Sequence, residues 1–227
     1  MNDCAGLRHN SRNDMQKDFQ NELWAQLIES ARELGIKIDG SHAAMLLQHL
    51  ALLAKWNRTH NLTAITDPKE MVIQHVLDSL ALAPHIKGRR ILDIGTGGGF
   101  PGLPLAIVNP DQHWTLLDSR GKRIEFVRHI VSRLGLGNVS LAKCRIENYR
   151  PEEKFDTLTA RAFSSLQNLV LLSRGCQQTG TRILAMKGKA PYDEIQELPE
   201  HWQSRLEVTR LEVPGLDAER HLVTIEC

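Results

Sequence analysis

Residues 91–110 read ILDIGTGGGFPGLPLAIVNP: a short apolar run, then five glycines and three prolines in a stretch without a single lysine. Ile91–Ile94 is predicted to be a short buried strand. Pro101–Val108 is predicted to be a helix closed by Pro110, with Pro101 and Pro104 in the first turn, where absent N–H groups cost least. A strand that feeds a helix through so many glycines exposes backbone where other sequences place side chains. That is the habit of a turn which lets a bound molecule approach closely.

The strand–helix rhythm continues outward from this unit. HWTLLD (113–118) is a second strand, and the next helix carries Ile124, Val127, Val131 and Leu134 on one face before Gly135 and Gly137. VSLAKCR (139–145), FDTLTARA (155–162) and TRILAMKG (181–188) are further strands, with a helix over 166–174. RLEVTRLEVP (205–214) and RHLVTIE (220–226) form a terminal pair with no helix between them, an antiparallel edge hairpin. Alternating strands and helices imply an α/β fold with a parallel, Rossmann-like sheet and right-handed crossovers.

Toward the N-terminus the pattern is helical. Leu23, Leu27, Ala31 and Leu34 recur at helical spacing before Gly35. Ser41 is the expected N-cap of a helix striped by Leu46, Leu50 and Leu53, and Asp67-Pro68 opens a third helix through EMVIQHVLDSLALA. The expected organisation is a loose extension over 1–18, a helical cap over 19–86 and the sheet domain over 87–227, the last two as one compact unit. Length, 41% hydrophobic and 24% charged residues suit a soluble globular protein, and no apolar run reaches membrane-spanning length. Four scattered cysteines without a CxxC argue for free thiols and no zinc, and the start lacks an apolar signal core, so a cytoplasmic location is expected.

Gly95, Gly97 and Gly99 give G-x-G-x-G, and Phe100 stands where a dinucleotide fingerprint needs its third glycine. A phosphate-binding P-loop needs a following Gly-Lys-Ser/Thr, which is missing. S-adenosylmethionine fits better. Asp93 precedes the glycines, Asp118 ends the second strand 23 residues after Gly95 and can bond ribose hydroxyls, and Arg145-Ile146-Glu147 closes the third strand near the expected adenine. TARAFSSL after the fourth strand has neither the Asn/Asp-Pro-Pro-aromatic motif of amine methylation nor the cysteine of C5 methylation. A ring nitrogen with a free lone pair needs no general base, only alignment. No residue is therefore assigned as a chemical catalyst.

The segments KWNRTHNLTAITDP, HVLDSL, DIGTGGGFPGLPLAI, LLDSRGKR, TARAFSSL, LAMKG and DAERHLV, spread over about residues 55–225, resemble the RsmG (GidB) family of 16S rRNA guanine-N7 methyltransferases. The resemblance implies a class I S-adenosylmethionine-dependent methyltransferase that transfers a methyl group to N7 of guanosine 527 in the 530 loop of 16S rRNA, acting on the rRNA or the 30S subunit. With the glycine pattern it places cofactor contacts at Gly95, Thr96, Gly97, Gly99, Phe100, Asp118, Ile146, Glu147 and Arg161. Arg123, Arg145, Lys187 and Arg220 map near the carboxyl ends of the strands and are the expected RNA contacts. A non-catalytic cofactor- or nucleotide-sensing protein, or a methyltransferase for small molecules or proteins, would share the glycine turn. A monomer without metal is expected. His75 and Asp78, three apart on a helix, are read as a structural pair, and with Ser79 they form no hydrolase motif.

Overall fold

The computed structural model describes residues 4–227, with side chains described from residue 18 onward. Its strands are β1 (Arg90–Ile94), β2 (His113–Leu117), β3 (Val139–Ala142), β4 (Thr157–Arg161), β5 (Arg182–Lys187), β6 (Leu206–Arg210) and β7 (His221–Glu226). They form one sheet in the order β3-β2-β1-β4-β5-β7-β6. β1 to β5 run parallel, while β7 pairs antiparallel with both β5 and β6. The expected edge hairpin is present. The strand order reverses between β1 and β4, which opens a crevice beyond their carboxyl ends.

Helices cover both faces. α1 (Cys4–Glu33) and α2 (Gly40–His60) lead, followed by α3 (Pro68–Met71), a π-helical stretch (Val72–Leu77) and α4 (Asp78–Leu80). α5 (Gly102–Val108), α6 (Gly121–Leu134) and α7 (Leu166–Leu172) alternate with the strands, and α8 (Tyr192–Gln196) and α9 (Glu200–Gln203) lie between β5 and β6. One apolar cluster joins Ala43, Leu46, Leu50 and Leu53 of α2 to Leu103 and Leu105 of α5, Phe126 and Ile130 of α6, and Trp114 and Leu116 of β2. Each fully buried leucine there contributes on the order of 2 kcal/mol. The opposite face of the sheet packs Leu92, Ile94, Leu158, Ile183 and Val223 against Leu166, Leu169 and Val170. Trp56, near the end of α2, lies against Phe126 and His129 of α6, with ring centroids 5.5 and 5.6 Å away.

Three local expectations change. The backbone is helical from Cys4, where a loose extension was expected over 1–18; no proline interrupts residues 4–33. Residues 1–3 of that expectation lie outside the described residues. The N-cap of α2 is Asp39 rather than Ser41, because the Asp39 carboxylate accepts from the His42 N–H while the His42 ring accepts from the Asp39 N–H. His75 and Asp78 do not bond each other. The His75 Nε2 lies 2.9 Å from the Thr63 hydroxyl, and the Asp78 carboxylate turns instead to two guanidinium groups.

Asp93 also has a structural task. It is fully buried, accepts from the Gly102 N–H at 3.1 Å, and accepts from the Thr159 hydroxyl at 3.1 Å. It thereby ties β1 to the start of α5 and to β4. A Cβ on Gly102 would stand 2.2 Å from the Leu116 side chain, so this glycine permits the close helix–sheet approach. The packing role that sequence spacing sought at residue 100 falls to Gly102.

Candidate functional site

The turn between β1 and α5 divides the crevice at the carboxyl ends of the strands into two cavities. The first, about 330 Å³, is lined by Gly95, Asp118, Ser119, Arg123, Arg145, Ile146 and Glu147 among others. Gly95 and Gly97 adopt positive φ (73° and 58°). A Cβ at Gly95 would meet nothing within 4 Å, and one at Gly97 only atoms at 3.8 and 4.0 Å, so both open a cradle that a side chain would fill. The N–H groups of Gly95 and Thr96 donate to the Leu117 carbonyl, which fixes this half of the turn to the end of β2.

Asp118, 3% exposed, closes the floor of this cavity. One carboxylate oxygen accepts from the Arg120 N–H at 2.8 Å; the other accepts from the Gly97 N–H at 3.1 Å and from Arg123 at 3.2 Å. A carboxylate has about four acceptor positions. Three donors leave it able to take one hydroxyl, and a second if Arg123 withdraws. Arg145 is exposed at the rim, 3.8 Å from Glu147. The cavity therefore offers a backbone cradle, a carboxylate for a diol and the apolar Ile146 for a flat ring, a donor set that suits S-adenosylmethionine.

The second cavity, about 350 Å³, is lined by Ile65, His75, Asp78, Arg161, Lys187 and Arg220 among others. Asp78 is buried and bridges two cations: Arg220 Nε donates to it at 2.7 Å, and Arg161 Nη1 lies 3.5 Å away. Arg161 also donates to the Gln74 carbonyl and lies over the Phe100 ring, 5.4 Å from its centroid. Burial pushes the Arg161 pKa down, and the Asp78 carboxylate beside it opposes that shift. Lys187 donates to both oxygens of Glu194 at 2.8 Å, and Glu194 in turn accepts from the Leu166 N–H. Arg161 is followed by Ala162 at φ 56°, an uncommon left-handed alanine at the mouth of this cavity.

The structure thus brings together Gly95, Asp118, Ile146 and Glu147, with Arg123 and Arg145 beside them. Arg161, Lys187 and Arg220 gather in the other cavity. Arg161 was expected with the cofactor contacts and lies apart from the Asp118 cavity. The Phe100 ring is buried, stacked between His49 and His75 with centroids 4.6 Å away on either side, and Gly99 is buried beside it. Thr96 is also buried within the turn. Sequence reasoning missed Asp78 as counter-ion and Glu194 as partner of Lys187. It also missed His49, whose visible signal is a titratable residue between Leu46, Leu50 and Leu53 on an apolar helix face.

A doubly wound sheet with a glycine cradle after β1 and a carboxylate at the end of β2 defines the class of Rossmann-like S-adenosylmethionine-dependent methyltransferases. A solved S-adenosylmethionine-dependent O-methyltransferase from Thermotoga maritima shares the fold, with TM-score 0.51 and 21% identity over 77% of this chain and 71% of that one. The family model described as rRNA small subunit methyltransferase G matches residues 42–223. Relatives named ribosomal RNA small subunit methyltransferase G are 48% identical in Chromobacterium violaceum (88% of this chain, 95% of that one) and 46% identical in Ectopseudomonas mendocina (88% and 94%). The chain belongs to the rRNA small subunit methyltransferase G family.

Among the described residues no group of three His, Cys, Asp or Glu is placed to hold a metal ion, and no helix is long and apolar enough to cross a membrane. Cys144, Cys176 and Cys227 are free thiols.

Proposed function

We propose that this chain methylates 16S rRNA from S-adenosylmethionine, at N7 of guanosine 527 in the 530 loop. The observation that carries this reading is the pair of cavities on either side of one glycine turn, one with the glycine cradle and the Asp118 carboxylate under a rim of arginines, the other lined by Arg161, Lys187 and Arg220 around Asp78. Gly95, Thr96, Gly97 and Gly99 shape the cradle, Asp118 holds the ribose, and Ile146 and Glu147 take the adenine end. The cofactor supplies an electrophilic methyl group on a sulfonium. Arg161, Lys187 and Arg220 face the RNA on the second side, with Arg123 and Arg145 at the rim of the first.

N7 of guanine presents its lone pair without losing a proton, so the chain's contribution is orientation and exclusion of water rather than proton transfer. The absence of an assigned base follows from that chemistry. RNA of this kind is recognised through a splayed base and its flanking phosphates, which planar guanidinium groups contact well. The helical cap and the sheet act in this scheme as one unit, since α2 packs against the turn through His49 and the stretch 72–77 supplies Gln74 and His75 to the second cavity.

Incubation with methyl-labelled S-adenosylmethionine and 30S subunits or deproteinised 16S rRNA tests the reading. Label at a single guanine N7, mapped by chain cleavage to position 527, is expected. Cofactor binding without label on any ribosomal substrate would favour a sensing protein instead.

A further inference from the structure

The glycine turn is held from two directions. Its outer half, Gly95–Gly97, is tied to the sheet through the Leu117 carbonyl and Asp118. Its inner half, Gly98–Phe100, is buried; the Gly99 and Phe100 N–H groups donate to the Thr96 carbonyl, and the Gly98 carbonyl takes its tie from the helical cap. His49 of α2, fully buried, places its Nε2 2.8 Å from the Gly98 carbonyl oxygen. A carbonyl only accepts, so Nε2 carries the proton and donates. The ring Nδ1 is then bare, and it has no partner among the described residues. The same imidazole stacks on Phe100 at 4.6 Å and 15°, and Phe100 stacks onward on His75.

This contact does more than fill space. The Gly98 carbonyl lies between Gly97 and Gly99, whose φ values are 58° and 89°. A peptide flanked by glycines rotates with little steric penalty, so its direction is set by its hydrogen bonds, from the Gly99 N–H to the Thr96 carbonyl on one side and from His49 to the Gly98 carbonyl on the other. A buried carbonyl deprived of its donor costs about 1–3 kcal/mol, and the turn would relieve that by rotating the peptide toward water. Every rearranged molecule must be restored before a ligand fits the cradle, which weakens apparent affinity by the fraction that remains competent.

We infer that His49 is a positioning residue for the cofactor: from the helical cap, its Nε2–H holds the Gly98 carbonyl and keeps the 95–100 turn in its binding shape. The inference rests on the cofactor lying across this turn. An apolar residue at position 49 would preserve packing and lose the clamp, while a glutamine amide reaches the place of Nε2 and keeps it.

Calorimetric titration of S-adenosylmethionine into wild type, His49→Phe and His49→Gln tests this, with amide exchange of residues 95–100 measured in the cofactor-free proteins. His49→Phe should raise the dissociation constant about five- to tenfold and speed exchange at Gly99 and Phe100, with RNA affinity and kcat at saturating cofactor within about threefold of wild type. His49→Gln should recover affinity to within about threefold. If the phenylalanine variant is recovered unfolded, His49→Leu takes its place. Unchanged affinity and exchange in the folded apolar variant overturn the inference. So does equal weakening of cofactor and RNA binding in both variants, which marks general damage. Wild-type protein that fails to bind the cofactor would instead overturn the function proposed above.

Discussion

The two sides of the glycine turn are built in opposite ways. On the Asp118 side the lining comes from residues 94–172, mostly from the ends of successive strands, and it combines a glycine cradle with the Asp118 and Glu147 carboxylates and the side chains of Arg120, Arg123 and Arg145. On the Asp78 side the lining runs from Ile65 to Arg220, and four ionic side chains meet across 142 positions of sequence. One site is a product of local turn chemistry. The other exists only because the helical cap folds onto the far half of the sheet. The difference implies, on the function proposed above, that cofactor and RNA recognition rest largely on different parts of the chain and can be damaged separately.

The largest effect should come from Asp78→Ala. It strands two largely buried guanidinium groups, and chemical denaturation should show a loss of about 3 kcal/mol in stability. A loss below about 1 kcal/mol would mean that the two arginines find other partners and that the second cavity is less tightly tied than the geometry implies.

Asp118→Ala should come next. Losing a charged acceptor for a ribose hydroxyl should weaken S-adenosylmethionine by about 2 kcal/mol, roughly thirtyfold, with RNA affinity little changed. Lys187→Ala should do the reverse more weakly. RNA binding should fall by about 1 kcal/mol, and the dependence on salt should flatten by roughly 0.7 in logarithmic slope, with cofactor affinity intact. Binding isotherms for both ligands on both variants would break the comparison if either substitution moved both affinities together.

The smallest effect concerns pH. Burial depresses His49 to about 4 and His75 to about 3, for His75 with help from the Arg161 charge. Their neutral forms are favoured in the fold, so the stability they contribute is present above about 6.5 and is lost as pH falls toward 4. Burial raises Asp93 to about 6. Its protonated form is favoured, so its contribution is present below about 3.8 and is lost as pH rises through 6. The two trends oppose each other between pH 4 and 6. Thermal midpoints across this window should fall on acidification, and fall more steeply in Asp93→Asn, which removes the opposing carboxyl.

The contrast between the two sides also explains what the sequence made legible. The strand–turn–helix order, the edge hairpin and the Asp118 cradle are written within short windows, through glycine spacing and apolar runs, and the structure has them. The role of Asp78 is not written locally. Its neighbour at helical spacing is His75, yet the guanidinium groups of Arg161 and Arg220 outcompete a neutral imidazole for its charge, and only the tertiary fold brings them near. The place of the Phe100 ring is set by the tertiary fold for a related reason. Its place directly after the glycines suggests a ligand contact, while the stack with His49 and His75 takes its ring into the core.

The most direct measurement of this division is a crystal structure of the protein with S-adenosylmethionine. The account predicts the ribose hydroxyls on Asp118, the adenine beside Ile146 and the methionine end over Gly95–Gly99, with the Asp78–Arg161–Arg220 cavity left for RNA. Adenosine density in that second cavity, with Asp118 untouched, would contradict it.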